Sequence, residues 1–130
     1  MKAIIVEDEL RSAKLLENLL RDYCPDVQLL GSASSVDEGF QLIKSNAIDI
    51  VFLDIEMQKE SGFDLLNKFE NINFEIIFTT AFEHYALKAI KFSAIDYLLK
   101  PIDIEELKEA ISKVSRNNQR HLMNKKFEIL

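Results

Sequence analysis

Residues 2–12 read KAIIVEDELRS, and the fold turns on how that stretch is parsed. Residues 3–6 form an apolar run with no alternation. A strand with one wet face alternates apolar and polar side chains, so an unbroken run marks a strand covered on both faces, as in a parallel sheet flanked by helices. Glu7, Asp8 and Glu9 follow at once. Beyond them, residues 10–22 carry a helical stripe of Leu10, Ala13, Leu16, Leu20 and Tyr23. The stretch is therefore a strand–helix unit whose junction is a knot of carboxylates. Such a knot needs a cation to be tolerable.

The same unit recurs along the chain. Further apolar runs lie at residues 50–53, 76–78 and 94–99, the last interrupted by Asp96, and a more mixed one at 27–33 suits an edge strand. Helical patterns fill the gaps. Ser35 and Glu38 have the spacing of a capping box ahead of Val36, Phe40 and Ile43. Helices are expected over 62–69 and 84–92. A last helix starts after Pro101, capped by Asp103 with Glu106, and turns Ile104, Leu107, Ile111 and Val114 inward. Five strand–helix units with short connections predict an α/β fold, a doubly wound five-stranded parallel sheet in the order 2-1-3-4-5, flavodoxin-like.

Composition fits one domain. The 130 residues are 48% hydrophobic and 29% charged, values of a globular chain, which exclude a disordered or collagen-like polymer. No apolar run approaches the roughly 18 residues of a membrane span and no signal-peptide pattern is present, so a cytoplasmic protein with no membrane association is expected. Cys24 is the single cysteine and is given no chemical role. Residues 1–112 hold 11 basic and 21 acidic side chains, and 113–130 hold 5 and 1, so an acidic body of −10 carries a basic tail of +4. The acidic body argues against nucleic-acid binding by the domain itself.

In a doubly wound sheet the working site lies beyond the carboxyl ends of the strands. Those ends carry Glu7 and Asp8, then Asp54 after IVFL, Thr80 in IIFTTA, and Lys100 in DYLLKP. Three acids, a hydroxyl and an ammonium are thereby predicted to converge. Clustered carboxylates repel one another and favour a hard divalent ion with oxygen ligands, for which Mg²⁺ suffices. Asp54, on the central strand, then suits a carboxylate nucleophile that forms an aspartyl phosphate. Lys100 and the Thr80 hydroxyl would offset charge on the phosphoryl oxygens. Each residue alone reads more readily as a capping acid, a surface lysine or a turn threonine; the joint placement carries the reading.

The stretches IIVEDE, IVFLDIEMQKESGFDLL, IIFTTAFEHYALKAI and AIDYLLKPI resemble the receiver domain of two-component response regulators over residues 1–117. HYALKAIKFSAIDYLLKPI and DIEM are especially similar to receivers of the LytR/AlgR group, where a LytTR DNA-binding domain follows. The resemblance implies that Asp54 is the phosphoacceptor and that the ion is held by Glu7, Asp8, Asp54 and the backbone carbonyl of Glu56. It makes Thr80 and Tyr97 the switch pair and Lys100 the site lysine, with a cis bond before Pro101. It implies a sensor histidine kinase as phosphodonor, and a homodimer through a helix 4–strand 5–helix 5 face that includes Ala86, Lys88, Ile90, Lys91, Asp96 and Glu109. DNA would be reached only through a domain outside this chain, with 118–130 as the linker or tail toward it. Such a chain catalyses only its own phosphorylation and dephosphorylation, and is not a conventional enzyme.

Two positions depart from the family pattern. The acidic pair is Glu-Asp in place of Asp-Asp, and Met57-Gln58 stands where Met-Pro is usual, which predicts a less rigid loop after Asp54. A haloacid-dehalogenase-type phosphatase fits poorly, because Glu56 occupies the position of its second aspartate. A Rossmann nucleotide domain fits less well still: Gly31, Gly39 and Gly62 form no glycine-rich loop. A receiver that is never phosphorylated and serves as an interaction module remains the rival that an assay must decide.

Overall fold

The computed structural model describes the backbone of residues 1–129, and the side chains of all of these except 121 and 124–129. Five strands alternate with five helices: β1 Lys2–Val6, α1 Leu10–Tyr23, β2 Gln28–Ala33, α2 Val36–Ser45, β3 Ile50–Asp54, α3 Gly62–Leu66, β4 Glu75–Thr80, α4 Ala86–Lys91, β5 Asp96–Leu99 and α5 Ile104–Ile129. A 3-10 turn, Glu83–Tyr85, precedes α4. All strand pairings are parallel and the order is β2-β1-β3-β4-β5, as the alternation predicts.

Each central strand feeds two cores. Ile4 and Val6 of β1, with Val51, Leu53, Ile76 and Phe78, pack against Val36 and Ile43 of α2, Phe63, Leu65 and Leu66 of α3, and Ala89 of α4. Ala3 and Ile5, with Ile50, Phe52, Ile77 and Leu98, pack against Ala13, Leu16 and Leu20 of α1 and Leu107, Ala110, Ile111 and Val114 of α5. That is why residues 3–6 and 50–53 show no polar alternation: side chains i and i+1 enter opposite layers, and both layers are dry. Burying one such Ile or Phe is worth roughly 1.5–3 kcal/mol, so the sheet's two faces hold the molecule together.

Local signals set the helix starts. The Ser35 hydroxyl accepts from the Glu38 N–H at 3.2 Å, while the Glu38 carboxylate accepts from the N–H of Ser34 at 3.1 Å, one residue before the expected partner. A complete capping box opens α3, where the Ser61 N–H donates to Asp64 Oδ2 at 2.8 Å. Asp103 caps α5 by accepting from the Glu106 N–H at 3.0 Å. Three expectations change. Leu10 and Tyr23, the end residues of the α1 stripe, are 80% and 45% exposed, while Ala13, Leu16 and Leu20 between them are buried. Helix α3 is shorter than expected and ends at Leu66. Ile104 is only half-buried. The apolar pattern fades after Arg116, yet α5 continues through residues 118–129 as helix. No helix among the described residues is long and apolar enough to cross a membrane.

Candidate phosphoryl-transfer site

Parallel pairing aligns the strand ends. Ala3 lies opposite Ile50, Asp54 opposite Thr79 and Thr80 opposite Leu99, so the residues that follow β1 and β5 flank the end of β3 on one edge. The Glu7 N–H donates to the Ala33 carbonyl at 2.9 Å, continuing the ladder one residue past β1 and carrying Glu7 into the interior. Glu7 and Asp54 are each 4% exposed; Asp8 is half-buried. One carboxylate oxygen from each of Glu7, Asp8 and Asp54 lies within 4.8 Å of the others.

Lys100 reaches the cluster from β5. Its ammonium donates to Glu7 Oε1 in a close ion pair and lies 3.6 Å from Asp54 Oδ1. One ammonium against two buried acids and a third beside them leaves negative charge uncompensated. Burial, then the Glu7 carboxyl as hydrogen-bond partner and like charge, pushes the Asp54 carboxyl up to about 8; Lys100 opposes this and does not overcome it. Hard oxygen donors, buried and short of positive charge, are what a small divalent cation requires, so the donor set fits Mg²⁺. Glu56, with an exposed side chain, lines the same opening as Asp8.

Two backbone contacts hold the β3–α3 loop. A Cβ on Gly62 would lie 2.2 Å from the Asp54 carbonyl oxygen, so only glycine permits this approach. The Gln58 N–H donates to Asp8 Oδ2 at 2.7 Å. The loop expected to be less rigid for want of proline is thus tied across the site by the N–H that proline lacks.

Thr80 is fully buried, and its Oγ1 accepts from the Phe82 N–H at 3.3 Å. The half-buried Tyr97 donates its hydroxyl to the Phe82 carbonyl. Backbone groups of Phe82 therefore join the two residues expected to form a switch. Burial, with Glu83 and Tyr85 nearby, raises the Tyr97 hydroxyl pKa above its ordinary value, so it remains a donor. The Lys100 N–H donates to the Thr80 carbonyl at 2.8 Å, and the Lys100–Pro101 bond is cis, as the resemblance implies. The expected residues stand at this edge except Tyr97, which pairs opposite Phe78 within the sheet and reaches the edge through its hydroxyl. Gln58, Gly62 and Phe82 were missed. Gly62 had a signal, since Ser61 and Asp64 spell a capping box around it; Gln58 and Phe82 act through backbone groups and had none. Of the expected dimer face, Ala86, Lys88, Ile90, Lys91 and Glu109 are exposed, and Asp96 is half-buried against Lys113 at 2.9 Å.

Residues 3–112 match the family model described as "Response regulator receiver domain". The chain is 33% identical over 121 residues to the sensory transduction protein LytT of Bacillus anthracis, covering 92% of this chain and 49% of that protein. It is 37% identical over 116 residues to the sensory transduction protein LytR of Staphylococcus haemolyticus, covering 88% of this chain and 45% of that one. It thus spans about half the length of the curated relatives it matches. Among solved structures, the response regulator TrrA from Thermotoga maritima, in complex with Mg²⁺ and BeF, superposes with a TM-score of 0.75 at 28% identity, over 87% of this chain and 97% of that one. With this fold, this row of strand ends and a family match over most of its length, the chain belongs to the response regulator receiver domains of two-component signalling, with LytT- and LytR-like relatives.

Proposed function

We propose that Asp54 accepts a phosphoryl group from a phosphohistidine of a sensor histidine kinase, in a reaction that depends on Mg²⁺. The observation that carries this reading is the cluster itself: Glu7, Asp8 and Asp54 oxygens within 4.8 Å of one another, with the Lys100 ammonium beside two of them. The Mg²⁺–BeF complex of TrrA, at 28% identity, supports it by likeness. Glu7, Asp8, Asp54 and the Glu56 carbonyl would hold the ion, whose charge would neutralise the phosphoryl oxygens.

In this proposal an Asp54 carboxylate oxygen attacks phosphorus, the P–N bond of the phosphohistidine breaks, and the departing imidazole nitrogen takes up a proton. Asp54 must first shed the proton that burial favours, which couples attack to cation binding. Lys100 lies close enough to leave Glu7 for a phosphoryl oxygen, and Thr80 supplies a hydroxyl donor once it releases the Phe82 N–H. That release loosens the backbone contact shared with Tyr97 and biases the surface of α4, β5 and α5 between two states. Water attack on phosphorus later breaks the new O–P bond and restores the carboxylate, so the chain acts on itself alone.

The same reading makes residues 1–117 the receiver and 118–130 the connection toward a LytTR-type DNA-binding domain of a cytoplasmic transcription regulator. The phosphorylated receiver would pair with a second copy through α4, β5 and α5. Incubation with acetyl phosphate and Mg²⁺, read by intact mass, tests the central step. One added phosphoryl group is expected, lost in Asp54→Asn and when Mg²⁺ is omitted. No gain in the wild-type protein would favour a receiver that works purely as an interaction module.

A further inference from the structure

We propose that the backbone N–H of Gln58 is a positioning donor that holds the Asp8 carboxylate in place for the cation and sharpens the preference for Mg²⁺ over Ca²⁺. The inference rests on reading Glu7, Asp8 and Asp54 as a Mg²⁺ site.

The three acids are not equally secured. Asp54 belongs to β3, and its carbonyl is crowded by Gly62. Glu7 continues the β1 ladder, is buried, and is engaged by Lys100 and by the Glu9 N–H at 3.3 Å. Asp8 is half-buried, stands on the first turn after the strand, and lies outside the ladder. Among the described residues, the one hydrogen-bond donor on its carboxylate is the Gln58 N–H, 50 positions away in sequence and 2.7 Å away in space. That length is typical of a charge-assisted bond.

The donor is itself well held. The Met57 N–H donates to the Glu60 carbonyl at 3.1 Å, and the Gly62 N–H to the Ile55 carbonyl at 2.8 Å, closing the loop at its base. Glu56 and Ser61 form an antiparallel bridge across it. The donor therefore sits on a closed turn anchored to β3, the strand that carries Asp54. The bond ties Asp8 to the loop that follows Asp54. Proline at this position, usual in the family, has no N–H to give; this chain's departure from the pattern supplies the contact.

The chemical consequence follows from the valence of a carboxylate. With one oxygen engaged by an N–H, the carboxylate is held against rotation and is less free to give both oxygens to one ion. Mg²⁺ is small and demands near-ideal octahedral geometry, so a fixed ligand suits it. Ca²⁺ accepts one or both carboxylate oxygens in flexible arrangements and gains little from the constraint. Partners that orient metal ligands typically contribute about 10–100-fold in metal affinity.

Titration calorimetry of the metal-free protein with MgCl₂ and with CaCl₂ tests the inference. Gln58→Pro deletes the donor; Gln58→Ala keeps it and deletes only the side chain. The Mg²⁺ affinity of Gln58→Pro is expected to fall about tenfold, with a smaller loss for Ca²⁺, so that the Mg²⁺/Ca²⁺ ratio narrows. Gln58→Ala is expected to keep the wild-type ratio. Equal Mg²⁺ affinity in wild type and Gln58→Pro, or a narrowed ratio in Gln58→Ala, overturns the inference and leaves the site reading standing. A wild-type protein that takes up no Mg²⁺ overturns both. If Gln58→Pro does not fold, amide NMR of the wild type decides: a Gln58 N–H protected from exchange and shifted by Mg²⁺ supports the inference, and one that exchanges as freely as Lys59 and ignores Mg²⁺ overturns it.

Discussion

At the scale of single residues, Asp54 carries the most consequence. Burial beside Glu7 pushes its carboxyl up to about 8 in the folded protein, from 3.8 for an unperturbed aspartate. Across that interval the folded state keeps a proton that the unfolded chain releases. Stability of the metal-free protein from this group is therefore lost as pH rises from about 4 to about 8, then levels off. Mg²⁺ displaces the same proton, so its apparent affinity is expected to climb over the same window. Urea melts of wild type and Asp54→Asn at about pH 5 and about pH 8 isolate the effect by difference. A wild-type protein that gains stability on Asp54→Asn as pH rises contradicts the account. Gly62 gives a second residue-scale prediction. A Cβ there meets backbone at 2.2 Å, which cannot yield cheaply, so Gly62→Ala is expected to cost about 3 kcal/mol. Gly39, whose Cβ would meet the Val6 side chain at 3.0 Å, recovers about 1 kcal/mol of helix propensity, and Gly39→Ala should be milder on the same melts.

The elements show how far a periodic pattern reaches. The stripe on α1 named the buried Ala13, Leu16 and Leu20, and also Leu10 and Tyr23, which lie largely in solvent. Spacing reports which face of a helix is apolar; it does not report where the sheet beneath the helix stops. Leu20→Ala, deleting a side chain 2% exposed, is expected to cost about 3 kcal/mol, and Leu10→Ala less than about 0.5 kcal/mol. Equal losses in thermal melts would mean that α1 sits differently on the sheet. Helix α5 shows the converse. Among the described side chains its last buried residue is Val114, yet the helix runs to Ile129. Gln119, Arg120, Leu122, Met123 and Lys125 all favour helix, so intrinsic propensity supports the helix beyond Val114. A fading apolar pattern marks the end of the core and leaves the end of the helix open.

At the scale of the whole molecule, the site exists because the sheet closes distances no local rule sees. Lys100 follows β5 and Glu7 follows β1, yet the two form an ion pair. Lys100→Ala would leave Glu7 and Asp54 buried without that cation. The metal-free protein is expected to lose about 3 kcal/mol, part of which Mg²⁺ restores. A variant whose melting is unaffected by either change would show that the ammonium is not what makes the buried acids tolerable.

Much was legible beforehand, for a physical reason. A strand covered on both faces must be continuously apolar, a surface helix must be striped, and the order of a doubly wound sheet sends every strand's carboxyl end to one edge. The acids and the lysine at those ends could be named because their positions relative to the strands are a matter of sequence. What the sequence could not state was which backbone groups would meet them. The Gln58 N–H on Asp8, the Asp54 carbonyl against Gly62, and the Phe82 backbone between Thr80 and Tyr97 use groups nearly every residue possesses. Side-chain chemistry is written in the residue names and so survives into the one-dimensional record; backbone chemistry is the same at almost every position, and only the folding of loops from different strands onto one another decides where it is spent.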